Sequence, residues 1–343
     1  MFKKIFALCL CVCLFSLAGC TKKTESLSIS TGDESSTIQK QEVVYKNPLT
    51  GLGGIDKEAY ESRPVAIMIN NISTAQPVQT GLTQADIVYE TEVEGGITRL
   101  LAVYQNIKDV EQIGTVRSAR YAFIDMALGH NAIYVHHGAD EDYAGQHLRS
   151  TDHFEVDVGN GGARISNGLA KEHTLYAYGD KIWEKILSSK RTIAYPNPTP
   201  WQTFASEDSP VSLEYTATSV TVPFSPSYKT TFKYDSVTGR YTRYFNNTER
   251  KDYITKQSIT FKNVFVLETT ITNYSDHYHR KVALDSGEGY YFVNGTYTKI
   301  KWSKGAASNG FTFTNLDGTP LTVNPGNSWV CIANKSTSSP IIA

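Results

Sequence analysis

The chain has 343 residues, of which 40% are hydrophobic and 20% are charged, and this is enough apolar sequence for two domains of ordinary size. Its 33 Lys and Arg residues nearly balance its 34 Asp and Glu residues, for a formal net charge of −1. A nucleic-acid-binding protein typically carries a strongly basic face, so no nucleic acid is expected as a partner.

The N-terminus has the layout of an export signal. Lys3 and Lys4 precede an apolar run at 5–18, which is shorter than the roughly 20 residues of a transmembrane helix. The run ends in Leu-Ala-Gly-Cys, which resembles the lipobox of bacterial lipoproteins. This resemblance implies that residues 1–19 are a lipoprotein signal peptide and that Cys20 carries a diacylglyceryl group, which would anchor the protein at the extracytoplasmic face of the cell membrane. A plain secretory signal is the alternative.

The segment after the signal is polar. Residues 20–46 are rich in Ser, Thr and charge, with hardly any apolar residue before Val43, so we expect a flexible tether there. Once the signal is removed and Cys20 is acylated, Cys331 is the only thiol left, and no internal disulfide is expected. Cys331 lies in the apolar run NSWVCIAN, which predicts a small buried side chain in a strand.

Residues 47–194 mix strand and helix patterns, which predicts an α+β or α/β domain with helices packed on a mixed sheet. Strand-like runs lie at 65–70, 86–94, 97–106 and 132–138, and helix-like runs lie at 118–129 and 178–190. Residues 195–201, YPNPTPW, predict a proline-rich linker. Residues 202–338 contain only short β-branched and aromatic runs separated by turns, which predicts a mostly-β domain, a small sandwich or barrel, before a tail at 339–343.

Gly95 and Gly96 suggest a register for the first hairpin. If they are a two-residue loop, side-chain alternation places four charged residues on one face of the sheet. These are Glu90, Glu92, Glu94 and Arg99. Carboxylates two residues apart on a strand lie about 7 Å apart, which leaves room for a cation, a water or a basic side chain. A solvated outer face with one cross-strand ion pair is the alternative.

The stretch IGTVRSARY, residues 113–121, concentrates positive charge before a helix. Ser118 is a suitable N-cap, and Arg120 would then fall in the first turn, where the helix dipole disfavours a cation. Either an internal glutamate pairs with Arg117 or Arg120, or an external phosphate or carboxylate binds there. We favour the internal pairing, with an exposed remainder that could bind.

Histidines are frequent in the same half, but catalytic signatures are not found. His136 and His137 end a strand and precede Asp140, so a metal site is conceivable, although ordinary hydrogen-bonded histidines are favoured. The sequence has no G-x-S-x-G elbow, no Walker loop and no nucleophile with a visible base, so the catalytic residues are unknown and no cofactor is predicted.

The ordered motifs resemble the YerB family of bacterial lipoproteins. They include NPLTGL, RPVAIMINN, ADIVYETEVEGGITRLLAVYQ, IGTVRSAR, EHTLY, GEGYYFVNGTYTKIKW and LDGTPLTVNPGNSWV. The resemblance implies a two-domain, surface-anchored lipoprotein of undefined biochemical function, and it supplies no catalytic residues. Thr115 stands where the family pattern has proline. The family-like polar positions are Asn70, Asn71, Glu94, Arg99, Arg117, Ser118, Arg120, His136, Arg164 and His173.

Three hypotheses follow. The first is a non-enzymatic binding or adaptor protein that recognises a cell-wall polymer or an envelope protein through its Arg and Glu residues. The second is a wall-modifying hydrolase or transferase, assisted by a metal at His136, His137, Asp140 and Glu92. In the third, the charged residues only hold the scaffold together, so that Arg117→Ala would cost several kcal/mol.

Overall fold

The computed structural model describes residues 43–343. The predicted signal peptide, Cys20 and most of the predicted tether therefore lie outside the described residues. Residues Val43–Ala343 form one compact unit. In this part of the chain, no helix combines the length and apolar character that crossing a membrane requires. Folded structure begins inside the predicted tether, since Tyr45–Lys46 pairs with Gly53–Ile55.

The first half of the unit combines strands and helices. Its strands are β1 (Tyr45–Lys46), β2 (Gly53–Ile55), β3 (Val65–Asn70), β4 (Ile87–Glu92), β5 (Thr98–Tyr104), β6 (Ile113–Gly114), β7 (Ile133–His136), β8 (His153–Glu155), β9 (Asp157–Val158), β10 (Gly161–Arg164) and β11 (Leu175–Ala177). Its α-helices are α1 (Lys57–Tyr60), α2 (Tyr121–Leu128), α3 (Ala144–Leu148) and α4 (Gly179–Leu187). Short 3-10 turns lie at Gln76–Val78, Leu82–Gln84, Glu94–Gly96, Ile107–Asp109 and Lys171–His173.

The second half contains strands only, as its β-branched and aromatic runs predict. They are β12 (Thr203–Phe204), β13 (Tyr215–Thr216), β14 (Ser219–Ser225), β15 (Tyr228–Asp235), β16 (Arg240–Phe245), β17 (Thr248–Glu249), β18 (Thr260–Phe261), β19 (Asn263–Thr269), β20 (Ile271–Asn273), β21 (Arg280–Val282), β22 (Ser286–Val293), β23 (Thr296–Ser303), β24 (Thr312–Asn315), β25 (Thr322–Val323), β26 (Ser328–Asn334) and β27 (Ile341–Ile342). The predicted fold class, a mixed α and β half followed by a mostly-β half, is confirmed.

One eleven-stranded mixed sheet joins the two halves. Its order is β13-β23-β22-β19-β26-β4-β5-β3-β7-β8, and β24 adds to β23. The junction is the parallel pairing of β26 with β4, in which Trp329 lies opposite Val88 and Val330 opposite Tyr89. Every residue of β26 and of β4 is buried. Strands covered on both faces are apolar along most of their length, which fits the runs IVYETE and SWVCIAN except at Glu90, Thr91, Glu92, Ser328 and Asn334.

Both faces of this central sheet are covered. A six-stranded sheet, β17-β16-β15-β14-β27 with β18, packs on one face through residues such as Val222, Phe232 and Tyr241. Beside it, helix α4 and the four-stranded sheet β6-β11-β10-β9 cover the same face. Helices α2 and α3 cover the other face, where Phe123 and Leu148 are buried. Both faces of the β4–β5 hairpin are therefore covered by other parts of the chain.

The predicted hairpin register is also wrong by one residue. Residues Glu94–Gly96 form a three-residue loop, and Val93 pairs with Ile97. Glu90 consequently lies opposite Leu100, Thr91 opposite Arg99, and Glu92 opposite Thr98. Since a one-residue slip exchanges the two faces of a strand, Arg99 points away from the face that carries Glu90 and Glu92.

The three glutamates do not form a solvated outer face. Glu90, Glu92 and Glu94 are 0%, 5% and 8% exposed. A second layer packs over each face of the central sheet, so these carboxylates need partners inside the protein. Cys331, which was predicted to be buried in a strand, lies in β26 and is buried.

Candidate anion-binding site at one edge of the central sheet

Several strands of the central sheet end at the same edge. Strands β19, β26 and β4 are mutually parallel, as are β3, β7 and β8. Both β4 and β3 run antiparallel to β5, so these six strands all point in one direction. In open α/β sheets, ligands bind outside the carboxyl ends of the parallel strands. This carboxyl edge is therefore the first place to look for a site.

The stretch that contains the predicted arginines is built into this edge. Ile69 of β3 pairs with Val116, and the Arg117 amide donates to the carbonyl of Met68. On the other side, His137 donates its amide to the Arg117 carbonyl, and Ala119 donates to Gly138. Residues 115–119 thus enter between the ends of β3 and β7. Their arginines project at a point where two strands of the sheet separate.

Glu94 holds two of these arginines. Arg120 Nε donates to Glu94 Oε2 at 2.9 Å, and its Nη2 donates to Glu94 Oε1. Arg99 Nη2 lies 3.4 Å from the same Oε1, and its Nη1 donates to the carbonyl of Ser118 at 2.7 Å. Burial would raise the pKa of Glu94, but the hydrogen bond from Arg120 and the charges of both arginines outweigh it and lower this pKa to about 2. Glu94 is therefore a fixed carboxylate.

Two guanidinium groups contact this carboxylate, and that of Arg117 lies beyond salt-bridge distance of it. We call Arg99, Arg117 and Arg120, with Glu94, the arginine site. Burial first, and then repulsion from Arg120 and Arg117, lower the pKa of Arg99 to about 9, although Glu94 opposes this. Among the described residues, no carboxylate lies within salt-bridge distance of Arg117, whose Nη1 donates to the Glu172 carbonyl at 2.9 Å. The Arg117 Nε is buried and has no hydrogen-bond partner there. Within salt-bridge distance in the described chain, the three arginines therefore have a single carboxylate, Glu94, whereas burial first lowers the pKa of Arg117 and the charge of Glu172 opposes this.

The predicted helix cap is wrong. Helix α2 begins at Tyr121, so Arg120 rather than Ser118 is the N-cap, in an extended conformation with φ −138° and ψ 144°. No side chain caps the helix. Arg120 therefore lies just outside the first turn, and its side chain leaves the helix axis to reach Glu94. The unfavourable dipole contact that the sequence suggested is avoided in this way.

His136 and His137 have hydrogen-bond partners at both ring nitrogens. His136 Nδ1 donates to the Gly138 carbonyl at 2.9 Å, so its Nε2 accepts from His153 Nδ1 at 2.9 Å. His137 Nδ1 donates to the Val156 carbonyl, which leaves Nε2 to accept from Arg164 at 3.1 Å. Burial is the main cause that lowers the pKa of His136 to about 4, so its ring is neutral at pH 7.

The weak metal candidates do not converge. Asp140 accepts hydrogen bonds from the amides of Tyr143 and Ala144 at the start of α3. Within residues 43–343, no group of three or more His, Cys, Asp or Glu side chains is arranged to hold a metal ion. The ring nitrogens of His136 and His137 are also engaged, as their hydrogen bonds show.

Two other predicted residues border the arginine site. Asn70 ends β3 opposite Arg99, and its Nδ2 donates to His173 Nδ1 at 3.0 Å. His173 Nε2 lies 3.2 Å from Glu172 Oε1. Burial, followed by the charge of Arg117, lowers the pKa of His173. Asn70 and His173 thus form a neutral polar border next to the arginines.

Asn71 and Glu90 lie elsewhere, in the interior between the two large sheets. Glu90 Oε1 accepts from Asn71 at 3.0 Å, Thr98 at 2.8 Å and Thr230 at 2.9 Å, while its Oε2 has no partner in the described chain. Arg243 donates to Asn71 Oδ1 at 3.1 Å. Burial is the dominant cause that raises the pKa of Glu90. This buried network is closed to solvent and belongs to the scaffold.

The sequence reasoning missed Arg243, which is 0% exposed. Its guanidinium lies over the Trp329 ring, 4.8 Å from the centroid. Alternation along the run RYTRYF places Arg243 on the same face as Tyr241 and Phe245, both buried. That alternation was the available signal. Glu92, the third predicted carboxylate, lies 3.6 Å from Arg280 and accepts from Ser338 at 3.3 Å, and it belongs to neither cluster.

The described chain is therefore a β-rich protein of two sequence halves that share one sheet and form a cationic site at its edge. Comparison with known proteins identifies the family of this chain. The family described as "Protein of unknown function (DUF3048)" matches with its N-terminal domain at residues 49–192 and with its C-terminal domain at residues 220–330. The chain belongs to this family.

Individual relatives support this family assignment. "Putative lipoprotein YerB" of Bacillus subtilis (strain 168) is 30% identical over 350 residues, which cover 96% of this chain and 95% of the relative. The crystal structure of the YerB protein from Bacillus subtilis matches with a TM-score of 0.75 at 28% identity, and the match covers 87% of this chain and 99% of that one. The resemblance to the YerB family is confirmed.

Proposed function

We propose that the protein is a membrane-anchored, extracytoplasmic lipoprotein that binds, without catalysis, an anionic group of a cell-wall polymer or of an envelope protein. The anchor is supported by the Leu-Ala-Gly-Cys ending of the predicted signal and by the name of the Bacillus relative. The binding role is supported by the composition of the arginine site. Its placement at the carboxyl edge of the sheet fits the position of ligand sites in related architectures.

The observation that carries the proposal is the unbalanced charge of the arginine site. Arg99 and Arg120 contact the carboxylate of Glu94, Arg117 has no carboxylate within salt-bridge distance in the described residues, and Arg99 is only 5% exposed. A phosphate or carboxylate placed against Arg117 and Arg120 would accept charge-assisted hydrogen bonds from guanidinium groups that already repel one another. Binding would remove this repulsion, so the site gains more from an anion than an isolated surface arginine does.

The alternative of a metal-assisted hydrolase or transferase has less support. Its proposed ligands were His136, His137, Asp140 and Glu92. In the described chain these four side chains make hydrogen bonds or ion pairs with other groups and do not face a common point. No nucleophile with a neighbouring base was identified among the candidate residues.

Calorimetric titration of residues 43–343 with a poly(glycerol phosphate) wall polymer tests the proposal. We expect binding that weakens with added salt, and at least about tenfold weaker binding for Arg117→Ala. The matched control is Arg149→Ala, which removes the same charge from an exposed position at the end of α3. Equal losses in both variants, or no binding to the polymer or to wall extracts, would contradict the proposal.

The unfolding free energy of the same variants separates binding from scaffold. Because Arg117 has no carboxylate partner within salt-bridge distance in the described residues, we expect Arg117→Ala to cost less than about 1 kcal/mol. A scaffold role predicts several kcal/mol instead. A large loss of stability with unchanged binding would favour the scaffold.

A further inference from the structure

Four tyrosines form a surface next to the arginine site. Tyr121 begins α2, Tyr143 precedes α3, and Tyr274 and Tyr278 lie in the loop between β20 and β21. We call these four residues the tyrosine platform. Tyr121 is 38% exposed and Tyr278 is 58% exposed, so ring surface is open to solvent. Isolated exposed tyrosines are common on proteins, but a group from three separate elements is not explained by chance exposure alone.

Tyr121, Tyr143 and Tyr274 are held in place by one another. Tyr278 is joined to them through the ring of His279, whose centroid lies 5.1 Å from that of Tyr278 and 5.6 Å from that of Tyr143. Tyr143 and Tyr274 stack with centroids 4.0 Å apart and ring planes 19° apart. Tyr121 lies 6.3 Å from Tyr274 and stacks on His147 at 4.4 Å. These contacts join the two sequence halves. A platform fixed before binding loses little conformational entropy when a ligand arrives.

Polar groups line the margin of the platform. Asp125 Oδ1 lies 2.7 Å from His147 Nε2, and Asp276 Oδ2 lies 2.6 Å from His279 Nδ1. The second oxygen of Asp276 accepts from the amides of Tyr278 and His279, whereas Asp125 uses one oxygen for His147, and each tyrosine has a hydroxyl, so acceptors and donors border the ring faces. A sugar ring has an apolar C–H face and hydroxyl groups along its rim. Flat aromatic faces bordered by carboxylates and hydroxyls complement that shape and polarity.

The platform and the arginine site adjoin. Tyr121 directly follows Arg120 in the chain. Asp140 lies between the two regions, since Ala139 pairs with Ala119 and the Asp140 carboxylate accepts a hydrogen bond from the Tyr143 amide at 2.8 Å. One elongated ligand can therefore contact both surfaces.

We propose that the tyrosine platform is a saccharide-binding subsite, and that the ligand of the arginine site is a sugar-bearing anionic polymer rather than a bare polyanion. This inference rests on the proposed function and names its ligand class. The acidic group would bind at the arginine site, and a neighbouring sugar ring would stack on Tyr121 or Tyr278. Exposed Glu141 and Asp142 precede Tyr143 and disfavour a second anionic group on the platform, which suits a neutral sugar at that end.

The test compares two polymers of equal phosphate content, poly(glycerol phosphate) with and without N-acetylhexosamine substituents, binding to residues 43–343. We expect the substituted polymer to bind about tenfold more tightly. Tyr121→Leu and Tyr278→Leu should each reduce this preference and leave binding of the unsubstituted polymer unchanged. The control is Tyr215→Leu, which removes a ring that is 44% exposed on β13, at the far end of the central sheet.

Each result tests the saccharide subsite, the arginine site or both. Equal affinity of the wild-type protein for both polymers would overturn the saccharide subsite and leave the arginine site standing. A preference that survives in both tyrosine variants would also overturn it. Binding of neither polymer would overturn both proposals. Tyr278→Leu guards against misfolding as an explanation, because the Tyr278 side chain is mostly exposed and packs only at its edge against His279.

Discussion

Glu94 is the residue on which the arrangement of the arginine site depends. It is the common acceptor for Arg99 and Arg120, and it is 8% exposed. Without this carboxylate, two guanidinium groups would remain partly buried with no counter-charge. Removing one partner of a buried ionic group is costly because the remaining charge is left uncompensated. Arg117, in contrast, donates a side-chain hydrogen bond to the Glu172 carbonyl and has no carboxylate within salt-bridge distance among the described residues.

The depressed pKa of Glu94 predicts a specific loss of stability in acid. The pKa lies at about 2 in the folded protein, below the ordinary value of 4.5. The stabilisation from Glu94 is therefore fully present above pH 4.5 and is lost as the pH falls towards 2. We expect the unfolding free energy of the wild-type protein to fall in this interval by on the order of 3 kcal/mol more than that of Glu94→Gln.

Chemical denaturation at several pH values measures this difference. The matched control is Glu141→Gln, which changes an exposed carboxylate. The control should follow the wild-type profile. Parallel profiles for wild type and Glu94→Gln between pH 4.5 and 2 would show that Glu94 is not held by the arginines in solution.

At the scale of single elements, the loop Glu94–Gly96 sets both the register of the hairpin and the position of Glu94. Gly95 and Gly96 have φ of 74° and 69°, in the left-handed region where glycine is favoured. The sequence correctly indicated a tight turn at these glycines. It did not distinguish a two-residue loop from a three-residue loop, and that difference moves Arg99 to the opposite face.

We expect Gly95→Ala to weaken anion binding as well as stability. A Cβ at Gly95 meets nothing within 4 Å, so the cost of about 1 kcal/mol is conformational strain at positive φ. The control is Gly318→Ala, where φ is 90° and the space around the Cβ is also open. Thermal unfolding should show similar losses for both variants, whereas polymer binding should fall only in Gly95→Ala. Equal polymer binding by both variants would show that the conformation of the Glu94–Gly96 loop does not affect the arginine site.

At the scale of the whole molecule, the two sequence halves are joined in one sheet. Thr91 of β4 donates its hydroxyl to the carbonyl of Ile332 in β26, a partner 241 residues away in the chain. Thr230 and Arg243 of the second half complete the polar network around Asn71 and Glu90. The domain boundaries and the linker at 195–201 remain predictions, because strands from both sequence halves belong to the same central sheet.

The anchoring of the whole molecule is tested at Cys20, which lies outside the described residues. We expect Cys20→Ser to move the protein from the membrane fraction to the soluble extracytoplasmic fraction, because no acylated residue would remain to hold it. Cell fractionation with immunoblotting measures the shift. Cys13→Ser, within the predicted signal peptide, is the control and should stay with the membrane. Membrane association of both variants would show that the anchor is not at Cys20.

The helices and strands could be predicted from the sequence better than the contacts within the arginine site. The strands at 65–70 and 132–138 and the helices in 118–129 and 178–190 were predictable, because their apolar periodicity reflects one local geometry. The choice of partners was not. Arg120 could equally have paired with Glu90 or Glu92, and only the three-residue loop brings Glu94 to it.

The sequence by itself determined the export signal pattern, a mixed α and β half followed by a mostly-β half, the burial of Cys331 and the membership of the YerB family, since each depends on local patterns or on ordered motifs. The tertiary structure alone decided the hairpin register, the burial of all three glutamates and the separation of Glu90 with Arg243 from Glu94 with Arg120. These depend on layers that pack from remote parts of the chain. Burial and partner choice are properties of that packing, and a local pattern does not contain them.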